Sequence, residues 1–200
     1  MTKIIIASGN KHKIEEIKAF FKGLKLDFSA LPEDKKLAEV IENGKSYKEN
    51  ALKKARQRAE ELNKIIIADD SGLSVDYLDG APGIYSARFG GEDLNDEEKY
   101  LKILSILNGV PQEKRKAAFI SAVALVDPFK NEEFVVEGSC KGIIAEKPSG
   151  ANGFGYDPIF YLPEYDKTMA EISQKEKNKI SHRAQALKKI KDVLKERYLE

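Results

Sequence analysis

Lys64-Ile65-Ile66-Ile67-Ala68-Asp69-Asp70-Ser71-Gly72 is the stretch on which the fold turns. Three isoleucines and an alanine make an unbroken apolar run, the mark of a strand buried on both faces. Asp69 to Gly72 reads as a polar turn ending it. The opening of the chain repeats the pattern: Lys3 to Ala7 is β-branched and apolar, and Ser8-Gly9-Asn10 punctuates it. Open α/β sheets bind ligands where their strands end, so both turns are candidate sites and both could face one crevice.

Working outward, Ile14, Ile17, Phe21 and Leu24 recur at helical steps behind the first strand. A second strand is expected over Leu26 to Leu31, stopped by Pro32. Glu33 to Gly44 lacks a clean period and reads as loop, with a short strand at Leu37 to Ile41. Ser46 and Glu49 form a capping-box pair, and Tyr47, Ala51, Ala55, Ala59 and Leu62 make one face of a helix ending near Asn63. A third helix is expected from Asp96 to Asn108, with Asn95 and Gly109 as caps. Ala117 to Val126 and Glu132 to Ile144 pattern as a long hairpin turning at Lys130-Asn131. The loop Gly150 to Gly155 leads into a short strand, Pro158 to Leu162. One last helix carries Ile180, Ala184, Leu187, Ile190 and Leu194 on one face and a basic opposite face. No repeat or linker interrupts this order, so residues 1–200 read as a single domain, an α/β fold with a mixed central β-sheet flanked by helices.

The 34 Lys+Arg against 33 Asp+Glu leave a net charge of +1, which argues against retention on nucleic acid or anionic lipid by bulk electrostatics. Hydrophobic residues make up 42% of the chain, enough to exclude strong disorder. The single cysteine, Cys140, excludes an intramolecular disulfide and Cys-based zinc or iron–sulfur sites. No stretch approaches the roughly 18 apolar residues of a membrane helix, and Ile4 to Ala7 is too short for a signal sequence. A cytoplasmic globular protein with no nucleic-acid and no membrane partner is expected. Phosphate-loop, GxGxxG, HExxH and GxSxG motifs are absent. With only His12 and His182 as histidines, any metal should be a hard cation on carboxylate oxygens.

Four segments carry candidate chemistry. Neighbouring side chains on an extended segment diverge, so one of Asp69 and Asp70 faces a ligand while the other pairs with a nearby lysine. The alternative is an Asp-rich turn closed by Ser71. Ser8 to Lys13 is a strand-to-helix turn whose free N–H groups favour an anion. Gly9 lets the backbone approach, Ser8 and Asn10 donate, and Lys13 binds phosphate as a point charge; the alternative is an ordinary helix cap with solvated lysines. Phe154 and Tyr156, between glycines, suit stacking on a planar ring, worth ~1–3 kcal/mol, with Asp157 accepting from ring N–H groups. The alternative tucks those aromatics into the core. Lys177, His182 and Arg183 only partly share a helix face, and a solvated basic helix is the alternative.

Taken in order, these segments resemble the inosine triphosphate pyrophosphatase family, also called the dITP/XTP pyrophosphatases, over almost the whole chain. Ser8-Gly9-Asn10 with Lys13 and Glu16 is similar to the family's opening [ST]xNxxK segment. Glu42-Asn43-Gly44, Tyr47-Lys48-Glu49-Asn50-Ala51 and Lys54-Ala55 resemble its second block. Asp69-Asp70-Ser71-Gly72-Leu73, Gly83-Ile84-Tyr85-Ser86-Ala87-Arg88, Phe154-Gly155-Tyr156-Asp157-Pro158 and Ser181-His182-Arg183 complete the series. Each is weak alone, and six in the right order are specific. The resemblance implies an elongated molecule with a cleft between two lobes, usually a homodimer. It implies Mg²⁺-dependent hydrolysis of a small-molecule purine nucleoside triphosphate (ITP, dITP or XTP) to the monophosphate and pyrophosphate. By the same resemblance, Glu42 and Asp70 hold the metal and Asp70 activates the attacking water. Ser8, Asn10, Lys13, Lys54 and Ser71 contact the triphosphate, and Phe154, Gly155, Tyr156, Asp157, Lys177, His182 and Arg183 bind the base. Tyr156 stands where some members have Trp, and Asp69 where some have Glu, which leaves the role of Asp69 open. A pyrophosphatase for another modified nucleotide and a nucleotide sensor without turnover are the rival expectations. A nucleic-acid-binding module is the weakest.

Overall fold

The computed structural model describes residues 1–91 and 93–199. β1 (Thr2–Ala7), α1 (Lys11–Phe21), β2 (Leu26–Ala30), α2 (Tyr47–Leu62) and β3 (Ile65–Val75) follow one another as strand, helix, strand, helix, strand. Parallel neighbours need such crossovers, and β1 pairs in parallel with β2 on one side and β3 on the other. Ile4 lies opposite Ile65 and Ile6 opposite Ile67. Further along are α3 (Asp96–Ile106), β4 (Lys116–Asp127), β5 (Glu132–Ile144), β6 (Phe160–Leu162), β7 (Lys167–Thr168), α4 (Gln174–Ile180) and α5 (His182–Tyr198). The seven strands form one sheet in the order β2-β1-β3-β4-β5-β6-β7, with β5, β6 and β7 paired antiparallel. The sheet is therefore mixed, as its sequence pattern led us to expect. Residues 128–131 join β4 to β5, too short for a parallel crossover. Asp127 Oδ1 accepts from the N–H groups of Phe129 and Lys130 and fixes that turn.

The chain divides into two compact units. The first comprises Met1–Asp70, Ser121–Gly138 and the chain from Arg183 onward. Its core joins Ile4 and Ile6 of β1, Ile17 and Phe21 of α1, and Ile65 and Ile67 of β3 to Leu187, Ile190 and Leu194 of α5. Ile5 and Ile66, pointing to the opposite face, are buried too, which explains the unbroken apolar runs. The second unit comprises Ser71–Ile120 and Ser139–His182. Leu73 and Val75 of β3, Ile103, Phe119, Ile144, Phe160 and Met169 form its core. Among the described residues no helix is long and apolar enough to cross a membrane.

Three expectations are corrected. The segment Asp69 to Gly72 is no turn, because β3 runs on to Val75. Leu73 and Val75 anchor that extension in the second unit's core, and Gly72 lets the Gly83–Arg88 3₁₀ helix approach. A Cβ there would lie 2.5 Å from the Gly83 carbonyl oxygen and 2.4 Å from Ser86 Oγ. Leu37 to Ile41 forms no strand, and Ile41 stays 65% exposed. The last amphipathic stretch is two helices, because Ser181 adopts an extended ψ of 156° and ends α4. Ile180 accordingly packs in the second core while Leu187 packs in the first. Smaller differences follow the same local chemistry. α3 stops at Ile106, and its Asn95–Glu98 capping box is complete. A 3₁₀ turn at Asp157–Ile159 shortens the following strand to Phe160–Leu162. Leu24 lies beyond α1 yet still packs on the first core.

Candidate active site

In the first unit β1 ends at Ala7, and Asn10 caps α1 by accepting from the Lys13 N–H at 3.2 Å. Ser8 Oγ accepts from the Asn10 N–H, so the two side chains shape the turn in the way the capping alternative foresaw. Ser8 is half-buried and Asn10 exposed, which leaves the helix N-terminus accessible to an anion. Lys13 reaches inward, its Nζ 2.8 Å from Asp69 Oδ2.

The two aspartates on β3 diverge as strand geometry requires. Asp69 is 1% exposed. Its Oδ2 takes Lys13 and the Arg183 guanidinium, 3.2 Å away, and its Oδ1 accepts from Ser121 Oγ. Burial alone would raise its pKa, but Arg183 and Lys13 hold the carboxyl well below the usual carboxylate range. Arg183 also ion-pairs with Glu16, so a buried charge network ties α1, β3 and α5 together. Asp70 is 6% exposed. Burial pushes it up to about 6, against the pull of Lys54 and Lys13 and with a further push from Glu42. Its Oδ2 is buried and has no hydrogen-bond partner.

Glu42 comes from the loop before α2. Lys54 Nζ lies 2.5 Å from Glu42 Oε1 and donates to the Asp69 carbonyl at 3.2 Å, linking that loop to β3. Ser46 caps α2 by accepting from the Glu49 N–H, but Glu49 returns its bond to Lys45 N–H rather than to the cap residue. The named groups of this cluster are three cations (Lys13, Lys54, Arg183) against four carboxylates (Glu16, Glu42, Asp69, Asp70). Among the described residues no group of three or more His, Cys, Asp or Glu side chains is arranged to hold a metal ion by itself. The pair Glu42 and Asp70, with one carboxylate oxygen unbonded, nevertheless suits a hard divalent cation that completes its shell with other oxygens.

In the second unit Phe154, Asp157 and Lys177 come together. Lys177 Nζ lies 2.6 Å from Asp157 Oδ2 and 4.5 Å from the Phe154 ring centroid. The Phe154 N–H donates to the same carboxylate at 2.9 Å. Gly153 has φ +75°, and a Cβ there would sit 2.0 Å from Asp157 Oδ2, so only glycine fits the turn. Gly155 N–H donates to Asp96. Tyr156 turns into the core, 7% exposed, and its hydroxyl donates to the Ser86 carbonyl at 2.7 Å. His182 stacks on Phe119 with centroids 4.8 Å apart. Lys177, His182 and Arg183 are all buried, so a solvated basic helix is excluded for them. Ser71 follows Asp70 along β3 and is half-buried.

Sequence reasoning gave no role to Asn50, Ser86 or Ser121. Asn50 had a signal: it begins a four-residue series with Lys54 and Arg58, polar residues beside the alanine face of α2.

A family model described as the Ham1 family matches residues 4–193, and the chain belongs to that family. It is 48% identical over 198 residues to a dITP/XTP pyrophosphatase of Thermoanaerobacter pseudethanolicus, covering 99% of both chains. It is 49% identical over 194 residues to a dITP/XTP pyrophosphatase of Bacillus licheniformis, covering 97% of this chain and 98% of that one. Among solved structures, the Staphylococcus aureus Ham1 protein superposes with a TM-score of 0.87 at 41% identity. That match covers 98% of this chain and 99% of the other.

Proposed function

We propose that this chain is a nucleoside-triphosphate pyrophosphatase that hydrolyses non-standard purine nucleotides (ITP, dITP and XTP) to the monophosphate and pyrophosphate. The observation that carries the reading is Asp70: a buried carboxyl with an unbonded oxygen, pushed up to about 6, beside Glu42 and within the influence of Lys13 and Lys54. Relatives 48% and 49% identical that bear the name dITP/XTP pyrophosphatase support it.

In this reading Glu42 and Asp70 hold Mg²⁺, which when bound offsets phosphate charge and favours attack at phosphorus. Asp70 accepts the proton of the attacking water, for which a pKa near the working pH is suited. Water attacks the α-phosphorus, the α–β anhydride bond breaks, and pyrophosphate leaves with its charge held by Lys13 and Lys54. Ser8, Asn10, Ser71 and the N-terminus of α1 are assigned to the phosphates. The local count of charges supports a cation requirement. Three basic groups against four carboxylates cannot offset a triphosphate of about four negative charges without one.

The second unit's residues are assigned to the base. Phe154 supplies aromatic surface, with Gly155, Asp157, Lys177 and His182 around it, and Tyr156 supports that loop from the core through the Ser86 carbonyl. Arg183, which belongs to the first unit and pairs there with Glu16 and Asp69, is assigned to the base as well. A 6-oxo purine offers an acceptor where adenine offers a donor, and donors left unpaired by adenine reject it strongly. A homodimer and a cytoplasmic location belong to the same proposal, and a monomer in light scattering would refute the first. Asp70→Asn tests the enzyme against a sensor. The expected result is retained ITP binding with turnover lowered at least a hundredfold; unchanged turnover would overturn the role of Asp70.

A further inference from the structure

Three residues of α2 hold three consecutive residues of the loop before it, in reverse order. Lys54 pairs with Glu42, Lys53 Nζ donates to Asn43 Oδ1 at 2.5 Å, and Asn50 Oδ1 accepts from the Gly44 N–H at 2.8 Å. Only the Asn50 contact is both uncharged and made by a side chain that is 1% exposed. Gly44 is shaped to it: a Cβ there would lie 2.6 Å from Asn50 Oδ1 and 2.8 Å from Glu49 Cβ.

Because a backbone N–H can only donate, the oxygen of the Asn50 amide must face Gly44 and its NH₂ must face away. That nitrogen is buried with no hydrogen-bond partner, as is Asp70 Oδ2. One is an unsatisfied donor and the other an unsatisfied acceptor, each costly to leave unmade. Asn50 also lies close enough to Asp70 to pull its pKa down.

We propose that Asn50 is a positioning residue of the site, an amide clamp that holds the Glu42 loop and the Asp70 carboxyl in one arrangement. The proposal rests on Glu42 and Asp70 as the metal-binding pair. A cation held by Glu42 would compete with Lys54 for that carboxylate, and the loop would then be held by Asn50 and by the Lys53–Asn43 contact.

Asn50→Ala removes the Gly44 hydrogen bond and the amide group that lowers the Asp70 pKa. Asn50→Asp keeps an acceptor for Gly44 N–H but turns an acceptor toward Asp70. Three readouts separate the effects: amide hydrogen exchange at Gly44 without metal, Mn²⁺ binding by calorimetry, and kcat and KM with ITP. For Asn50→Ala we expect Gly44 exchange at least tenfold faster, Mn²⁺ affinity at least tenfold weaker, and kcat down tenfold or more with KM within about twofold. Asn50→Asp should keep Gly44 protection and still lose kcat, which covers the case in which the alanine variant fails to fold. Unchanged Gly44 exchange and Mn²⁺ affinity in Asn50→Ala would overturn the clamp alone. Wild-type protein that binds no Mn²⁺ would overturn the assignment of Glu42 and Asp70, and the positioning role with it.

Discussion

Asp69 and Asp70 are adjacent and both buried, yet their surroundings push them in opposite directions. Asp69 is held low by Arg183 and Lys13, so its contribution to stability is present at neutral pH and lost only in strong acid. Asp70 is raised to about 6 from 3.8. A raised carboxyl binds its proton more tightly when folded, so stability falls as pH rises between those values. At neutral pH the charged Asp70 costs on the order of 3 kcal/mol. Asp70→Asn should therefore stabilise the protein at pH 7.5 by about 1–2 kcal/mol. Asp69→Asn, which removes the carboxylate shared by buried Arg183 and half-buried Lys13, should cost about 3 kcal/mol or more. Urea denaturation of both variants checks this, and shifts of the same sign would contradict it. The divergence of the pair was legible from strand geometry, including the pairing of one member with a lysine. That Asp69 also takes Ser121 and Arg183, 52 and 114 residues away, was not, because nothing local in a sequence encodes such distant partners.

At the scale of elements, β3 is locked where it enters the second unit. Ser86 Oγ donates to the Gly83 carbonyl at 2.6 Å and accepts from the Leu73 N–H at 2.9 Å, and Tyr156 holds the Ser86 carbonyl. Gly72→Ala forces the 83–88 helix to move, because one of the contacts is a backbone oxygen. It should cost 2 kcal/mol or more by the usual scale of overpacking, about 1–3 kcal/mol. Tyr156→Phe loses one hydrogen bond, about 1 kcal/mol, and leaves the helix in place. Chemical-shift changes across residues 83–88 in the first variant only are the expected signature; equal changes in both would contradict it. Periodicity identified most helices and strands because burial imposes it. It failed where burial changes unit without changing pattern. Asp69-Asp70 looks like a break yet sits inside a strand, and the stripe from Ile180 to Leu194 looks continuous although Ser181 divides it.

At the scale of the whole molecule, β3, β4 and β5 each supply residues to both units. Unfolding either unit would fray strands that the other needs, so residues 1–200 should unfold in a single transition by circular dichroism and fluorescence alike. Two resolved transitions would show two independently stable domains. Six motifs in order carried the family resemblance, and the family itself is now established over residues 4–193. What composition concealed is local: a net charge of +1 hides a cluster in which acidic groups outnumber basic ones, short of cations for a polyanion. The most direct test of the proposed activity is the product released from ITP, XTP and ATP with and without Mg²⁺. Mg²⁺-dependent pyrophosphate from ITP and XTP, at least a hundredfold faster than from ATP, is the predicted result. Orthophosphate as first product, or equal turnover of ATP and ITP, would contradict it.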